Sequence, residues 1–193
     1  MIMNNPINIL LSWIDEERTK GAPDPKQAVL STTNLDSVPH GRVVAIREIN
    51  DNGFLFFTQK DTRKYVELTS NPLASITFWF ELFEREVMID GSIIALSAIE
   101  NENYWNTYSP VAQIRFHSYA PTSAQPITNK QLLEDKRNKL AQQDQPLPVS
   151  DYYCGFRLIP SRMVFYTYRT DELSDVIEYC SIENKWQEQL LSP

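Results

Sequence analysis

Histidine, cysteine and glycine are all scarce in this chain of 193 residues. Its two histidines, His40 and His117, stand in no HxxxH or HExxH spacing, and its two cysteines, Cys154 and Cys180, form no CxxC pair. Too few soft ligands are left for a zinc or iron centre, so no metal is expected. The histidines read as surface or partner-bonded residues and the thiols as small packed hydrophobes. The five glycines, Gly21, Gly41, Gly53, Gly91 and Gly155, stand alone, so neither GxGxxG nor GxxxxGK[ST] occurs and doubly wound nucleotide folds are disfavoured. No GxSxG elbow offers a hydrolytic serine. There is no apolar run of about 20 residues and no signal-peptide core, which argues against a membrane partner and, with unpaired thiols, for the cytoplasm. A net charge of −7 with no run of lysines or arginines argues against nucleic acid. An enzyme with so few catalytic motifs would rely on a cofactor.

What the chain does have is β-type patterning broken by short helices. Residues 7–20 space Ile7, Leu10, Leu11 and Ile14 at helical intervals before Gly21, Pro23 and Pro25 stop them. Short strands are expected at 28–33, 42–49, 54–58, 74–80 and 85–96, with Asp51-Asn52-Gly53 as a hairpin turn. Helices are expected at 62–69, at 99–108 behind the capping box of Ser97 and Glu100 and ending before Pro110, and at 129–143. Strands return at 152–159, 163–168 and 176–181, with Trp186 in the closing segment. No repeat or long linker appears, so the pattern favours one small antiparallel barrel with peripheral helices.

The sharpest local signal is Asp61-Thr62-Arg63-Lys64, where a strand ends at Thr58 and a helix opens with two cations. Positive charge there opposes the helix dipole by roughly 0.3–1 kcal/mol per residue unless an anion compensates. With Thr58 nearby, the first-turn N–H groups would suit a phosphate; alternatively Arg63 and Lys64 extend into water or pair with Asp61 and Glu67. Arg42 and Arg47 flank Val43-Val44-Ala45-Ile46. A separation of five puts them on opposite faces of an ideal strand, so they share a ligand only if the strand bulges or ends there. Otherwise they are exposed cationic strand ends.

The stretches GRVVAIREINDNGFLFFTQKDTRK and NPLASITFWFELFEREVMIDG, together spanning most of Gly41 to Gly91, resemble the flavin-binding half of the pyridoxamine 5′-phosphate oxidase family. The likeness extends from the opening helix to Trp186 and the closing Leu191-Ser192-Pro193. The resemblance implies a mainly β, antiparallel, Greek-key-like FMN-binding split barrel. Its parts would be an N-terminal helix and arm (1–27), a flavin-binding barrel half (28–96), a helical insert (97–150) and C-terminal strands (151–193). It also implies a homodimer with FMN at the interface. Family positions that hold the phosphate and ribityl chain match Arg42 to Arg47, Phe57-Thr58 and Thr62-Arg63-Lys64, with Arg47 in place of a lysine that also meets substrate. A glutamine near the ring matches Glu86, a Gln-Ser pair matches Pro121-Thr122, a tryptophan matches Tyr166 and a late arginine matches Val176. On residue type alone, Glu86 reads as a solvent-facing carboxylate and Tyr166 as a barrel aromatic.

The substrate side departs further. The family's Y-x-x-x-R-x-x-x-S grip on a substrate phosphate matches Tyr104, Tyr108 and Ala112, and its R-L-H element matches Glu172-Leu173-Ser174. Losing two arginines and gaining a carboxylate weakens a phosphate grip by several kcal/mol, at roughly 1.5–3 kcal/mol per charge-assisted bond. A different substrate, or a shifted mode using Arg115 or Arg169, is expected. The implied activity is FMN-dependent oxidation of an amine- or alcohol-bearing carbon, in the vitamin B6 compounds pyridoxamine or pyridoxine 5′-phosphate, as in the main family, or in a related small molecule, with O2 as acceptor. Two alternatives are a flavin oxidase like those of phenazine biosynthesis and a non-catalytic flavin- or haem-binding module.

Overall fold

In a computed structural model that describes residues 5–143 and 145–193, nine antiparallel strands form one curled sheet with five helices around it. This is the split-barrel architecture. The opening helix α1 (Pro6–Lys20) begins at Asn5, whose side chain accepts from the N–H of Ile7 at 2.9 Å, and ends at Gly21 in the left-handed region with φ 106°. Ile7, Leu10 and Ile14 bury its inner face.

The sheet runs β2 (Pro39–Ala45), β1 (Gln27–Thr33), β5 (Leu73–Phe80), β6 (Arg85–Ala95), β7 (Tyr153–Thr167), β4 (Gly53–Gln59) and β3 (Glu48–Asn50). β8 (Asp175–Ile182) also pairs with β7, and β9 (Lys185–Leu191) pairs with β8. One edge of β7 follows β6 along most of its length. The other edge takes β4 at residues 153–158 and β8 at residues 162–167. That change of partner opens the barrel. It coincides with a bulge, since Asp90 pairs with Arg162 but Gly91 pairs with Pro160, leaving Ser161 as the extra residue. A proline cannot donate to a ladder, and a bulge tolerates it. Two strands were expected here, and one continuous strand is found.

The expected strand 42–49 is instead broken. Ile46 still bonds back beside β1, through Lys26 O at 3.0 Å, whereas the Arg47 N–H turns to Leu55 O on β4 at 2.7 Å. The β3–β4 hairpin turns at Asp51-Asn52, and Gly53 has φ 108°, where an added Cβ would lie 2.1 Å from Leu158 O. After α2 (Arg63–Ser70) come α3 (Ala98–Trp105), α4 (Pro110–Tyr119) and α5 (Gln131–Leu140). The helix α4 was not expected. Pro110 does not simply end the preceding helix: it occupies the first turn of the next one, with Ser109 as N-cap. β9 was missed too, because its hairpin turns on Glu183 and Asn184, both at positive φ, without glycine.

Phe54, Phe56, Phe78, Leu30, Ile76 and Ile89 lie at the centre of the main core. A second cluster of Trp105, Phe116, Ala120, Leu147 and Tyr153 fastens α3 and α4 over β4 and β7. Trp105 Nε1 donates to Leu147 O at 2.8 Å, which locks that cover in place. Among the described residues no helix is long and apolar enough to cross a membrane.

Candidate active site

A cavity of about 850 Å³ opens between the β2–β3 break, the end of β4, the start of α2 and the cover formed by α3 and α4. Its walls include Val43 to Arg47, Phe57, Thr58, Gln59, Lys64, Tyr108, Ala112, Arg115 and Tyr153. The strand breaks between Arg42 and Arg47, and Arg47 reaches the cavity wall while Arg42 does not.

At the α2 end, Lys64 Nζ donates to Thr58 Oγ1 at 3.2 Å, and the Thr58 and Thr62 hydroxyls lie 3.3 Å apart. Thr62 is the N-cap, yet its hydroxyl donates to Gln59 O at 2.8 Å and makes no bond to the helix it precedes. The first-turn N–H groups therefore keep the lack of internal partners common to helix starts. Burial holds the Lys64 ammonium below its ordinary pKa, the Arg42 charge adds to this, and no carboxylate among the described residues counters it. Arg63 is exposed.

Arg42 stands behind this cluster. Its guanidinium donates to Thr32 Oγ1 at 2.6 Å and Leu30 O at 3.2 Å, and pairs with Glu67 at 3.2 Å. Glu67 also lies 2.7 Å from His40 Nδ1. Burial alone would raise the Glu67 pKa, but hydrogen bonds from Thr32 and Arg42 and the nearby His40 hold it below the ordinary carboxylate value. Glu67 thus serves Arg42 rather than Lys64, contrary to one reading of the sequence. Cys154 is buried beside the same turn, and burial pushes its thiol up to about 12, so it is inert at neutral pH.

Toward α4 the wall becomes aromatic. Phe57 stacks on Tyr153 with ring centres 4.9 Å apart and planes 11° apart, and the Arg47 guanidinium lies 5.3 Å from the centre of the Tyr108 ring. Tyr104 packs against Phe57 but is not on the cavity wall. Its hydroxyl donates to Glu48 Oε1 at 2.6 Å, and Arg157 pairs with the same carboxylate at 3.2 Å. Thr122 donates to Tyr119 O at 3.0 Å, while its neighbour Ser123 reaches the cavity. Gln125 Nε2 donates to Asp61 O at 3.3 Å, holding that loop against the α2 turn.

Glu86 and Tyr166 are cross-strand partners on β6 and β7, beside Tyr168, whose ring centre is 4.3 Å from that of Tyr166. They do not line the cavity. Tyr153 and Tyr166 stand at opposite ends of β7, separated by roughly 40 Å of chain measured along the curled strand at about 3.3 Å per residue. Nor does Arg169 line it, since it pairs with Glu172 at 3.1 Å and Asp175 at 2.7 Å. Gln59 and Tyr153 went unnoticed in the sequence as site residues. The alternation of β4 puts Gln59 on the face of Phe57, which was the available signal.

Residues 14–143 match the family described as pyridoxamine 5′-phosphate oxidase, and residues 153–193 match the pyridoxine 5′-phosphate oxidase C-terminal dimerisation region. The chain is 32% identical to the pyridoxine/pyridoxamine 5′-phosphate oxidase of Alteromonas mediterranea, covering 100% of this chain and 91% of that protein. It is 33% identical to the protein of that name from Bordetella pertussis, covering 91% and 82%. Among solved structures, PhzG from Burkholderia lata, in complex with tetrahydrophenazine-1-carboxylic acid, superposes with a TM-score of 0.88 at 27% identity, covering 98% of this chain and 93% of that one. A pyridoxamine 5′-phosphate oxidase-related, FMN-binding protein from Nostoc punctiforme shares the fold, with a TM-score of 0.81 at 16% identity over the whole of both chains.

Proposed function

The chain belongs to the pyridoxamine 5′-phosphate oxidase family, and from that premise we propose that it is an FMN-dependent oxidoreductase working as a homodimer on a small ring-bearing substrate. One observation carries the proposal: a partly buried Lys64 without a carboxylate partner, set at a helix start beside the Thr58 and Thr62 hydroxyls. A cation so placed is unfavourable with nothing bound and suits a phosphate monoester. Thr58 and Lys64 would hold the FMN phosphate, with Thr62 ordering the turn, Arg63 at its rim and Arg42 adding charge from behind. The backbone from Val43 to Ile46 would carry the rest of the cofactor toward Arg47 and Phe57. Bound there, FMN supplies hydride acceptance from a carbon bearing an amine or alcohol, with O2 as the final acceptor.

Glu86 on β6 and its cross-strand partner Tyr166, at the opposite end of β7 from Tyr153, do not line their own chain's cavity. Their proposed contact with flavin is therefore to the partner's cofactor, in keeping with the match of 153–193 to a dimerisation region. The aromatic enclosure under α4 excludes water from the reacting face, and Arg47 orients an anionic substrate there. Tyr104 acts on substrate only if its bond to Glu48 is exchanged, so its proposed contribution is to position Phe57.

The substrate is proposed to be other than a vitamin B6 phosphate. Tyr108 and Ala112 occupy the wall where the family grips phosphate, and Glu172 engages Arg169. The likeness to PhzG supports a ring compound without a phosphate. Purified protein is expected to be yellow, to release FMN on denaturation, and to show little flavin reduction by pyridoxine or pyridoxamine 5′-phosphate under anaerobic conditions. Rapid reduction by either phosphate would restore the B6 reading. A bound flavin that neither dithionite nor any substrate reduces would instead favour a non-catalytic module.

A further inference from the structure

On the cavity wall both amide atoms of Gln59 are buried with no hydrogen-bond partner among the described residues, and the buried Tyr153 hydroxyl has none at hydrogen-bond distance, although it interacts with the Tyr108 hydroxyl. Each residue is only 3% exposed. Unpaired buried amides and phenols are uncommon in folded proteins, because each loses its water without replacement. These two are cross-strand partners on β4 and β7, so their side chains share one face and lie side by side. That face carries Phe57 and looks toward α4, and strand alternation turns it away from the side of β4 that presents Thr58 to Lys64. The orphan pair is therefore set apart from the phosphate end of the same cavity.

We propose that Gln59 and Tyr153, with Arg47, form a seat for the carboxylate of a planar ring substrate. The inference rests on the reading of the cavity as a flavin and substrate site, and it specifies the substrate's chemical class. The Tyr153 O–H and a Gln59 Nε2–H are neutral donors, and Arg47 supplies one positive charge. Burial first, and then the interaction with the Tyr108 hydroxyl, raise the pKa of the Tyr153 phenol against the opposing field of Arg47, keeping it protonated at any ordinary pH. Among the described residues Arg47 pairs with no carboxylate; its polar contact is Thr107 Oγ1 at 3.4 Å. One cation and two neutral donors match a planar monoanion better than a phosphate dianion, which calls for more charge. The flanking rings of Tyr108 and Phe116, with centres 5.7 and 5.3 Å from that of Tyr153, favour a flat ring on the ligand.

The test is calorimetric titration of the purified protein with benzoate, benzamide and phenyl phosphate. Benzoate is expected to bind most tightly, and Gln59→Leu and Tyr153→Phe are each expected to weaken it about tenfold, the loss of one hydrogen bond to a charged group. FMN affinity, followed by quenching of flavin fluorescence, is expected to stay within about twofold in both variants. Benzamide or phenyl phosphate binding as tightly as benzoate overturns the proposal, as does unchanged benzoate affinity in both variants. Loss of FMN affinity with benzoate binding retained reassigns the pair to the cofactor and also overturns it. Should Tyr153→Phe not fold, Gln59→Leu decides alone. A protein that takes up no FMN yet binds benzoate through these residues removes the flavin reading and leaves the seat standing.

Discussion

At the α2 end of the cavity, Thr58 contacts both Thr62 and Lys64, the residues proposed to seat the cofactor phosphate. At the α4 end, Tyr108, Ala112 and Arg115 line the wall where the pattern calls for an arginine and a serine. On the proposed reading, the contrast separates a cofactor half that is common property from a substrate half that is free to vary. A cofactor phosphate needs the same few donors whatever the substrate is, so its seat persists. The proposed substrate seat is instead made of aromatic surface and different cations.

Four changes would sharpen or break that contrast. Lys64→Met is expected to weaken FMN by roughly tenfold to a hundredfold, the range for one charge-assisted bond, whereas Glu86→Gln on β6, outside the cavity, is expected to shift it by less than about threefold. Equal losses would erase the distinction between the α2 end of the cavity and the β6–β7 strand pair outside it. Installing Tyr108→Arg together with Ala112→Ser is expected to tighten pyridoxal 5′-phosphate about tenfold, read by absorbance titration. No gain would mean that the substrate end lost more than these two contacts. Thr58→Val removes a neutral hydroxyl and is expected to weaken FMN only severalfold in the same fluorescence titration.

The smallest expected effect is one of pH. With its pKa lowered by burial, Lys64 loses its proton earlier than an ordinary lysine. The charge proposed to hold the phosphate is complete below that lowered value and disappears above it. FMN affinity should therefore be flat near neutrality and fall as the medium turns alkaline, before the usual lysine range. In the Lys64→Met variant that decline should be absent.

Much of this was legible in the residues themselves. The cations after Thr58 marked the α2 end because helix starts disfavour positive charge, and Asp51-Asn52-Gly53 marked its hairpin. Other features were hidden by residues with two meanings. Pro110 reads as a helix stop until Ser109 is recognised as the next cap, so α4, which roofs the cavity, was invisible. Gln59 looks like any polar strand end, and only the burial of its partner-less amide sets it apart. The separation of Glu86 and Tyr166 from the cavity depends on β7 running unbroken through Pro160, which no local pattern reveals.

The account stands on a seat built for one phosphate. The direct measurement is a pair of equilibrium titrations of the flavin-free protein, with FMN and with riboflavin, which differ only in that group. FMN binding at least a hundredfold tighter is the expected result. Equal affinity for the two would contradict it.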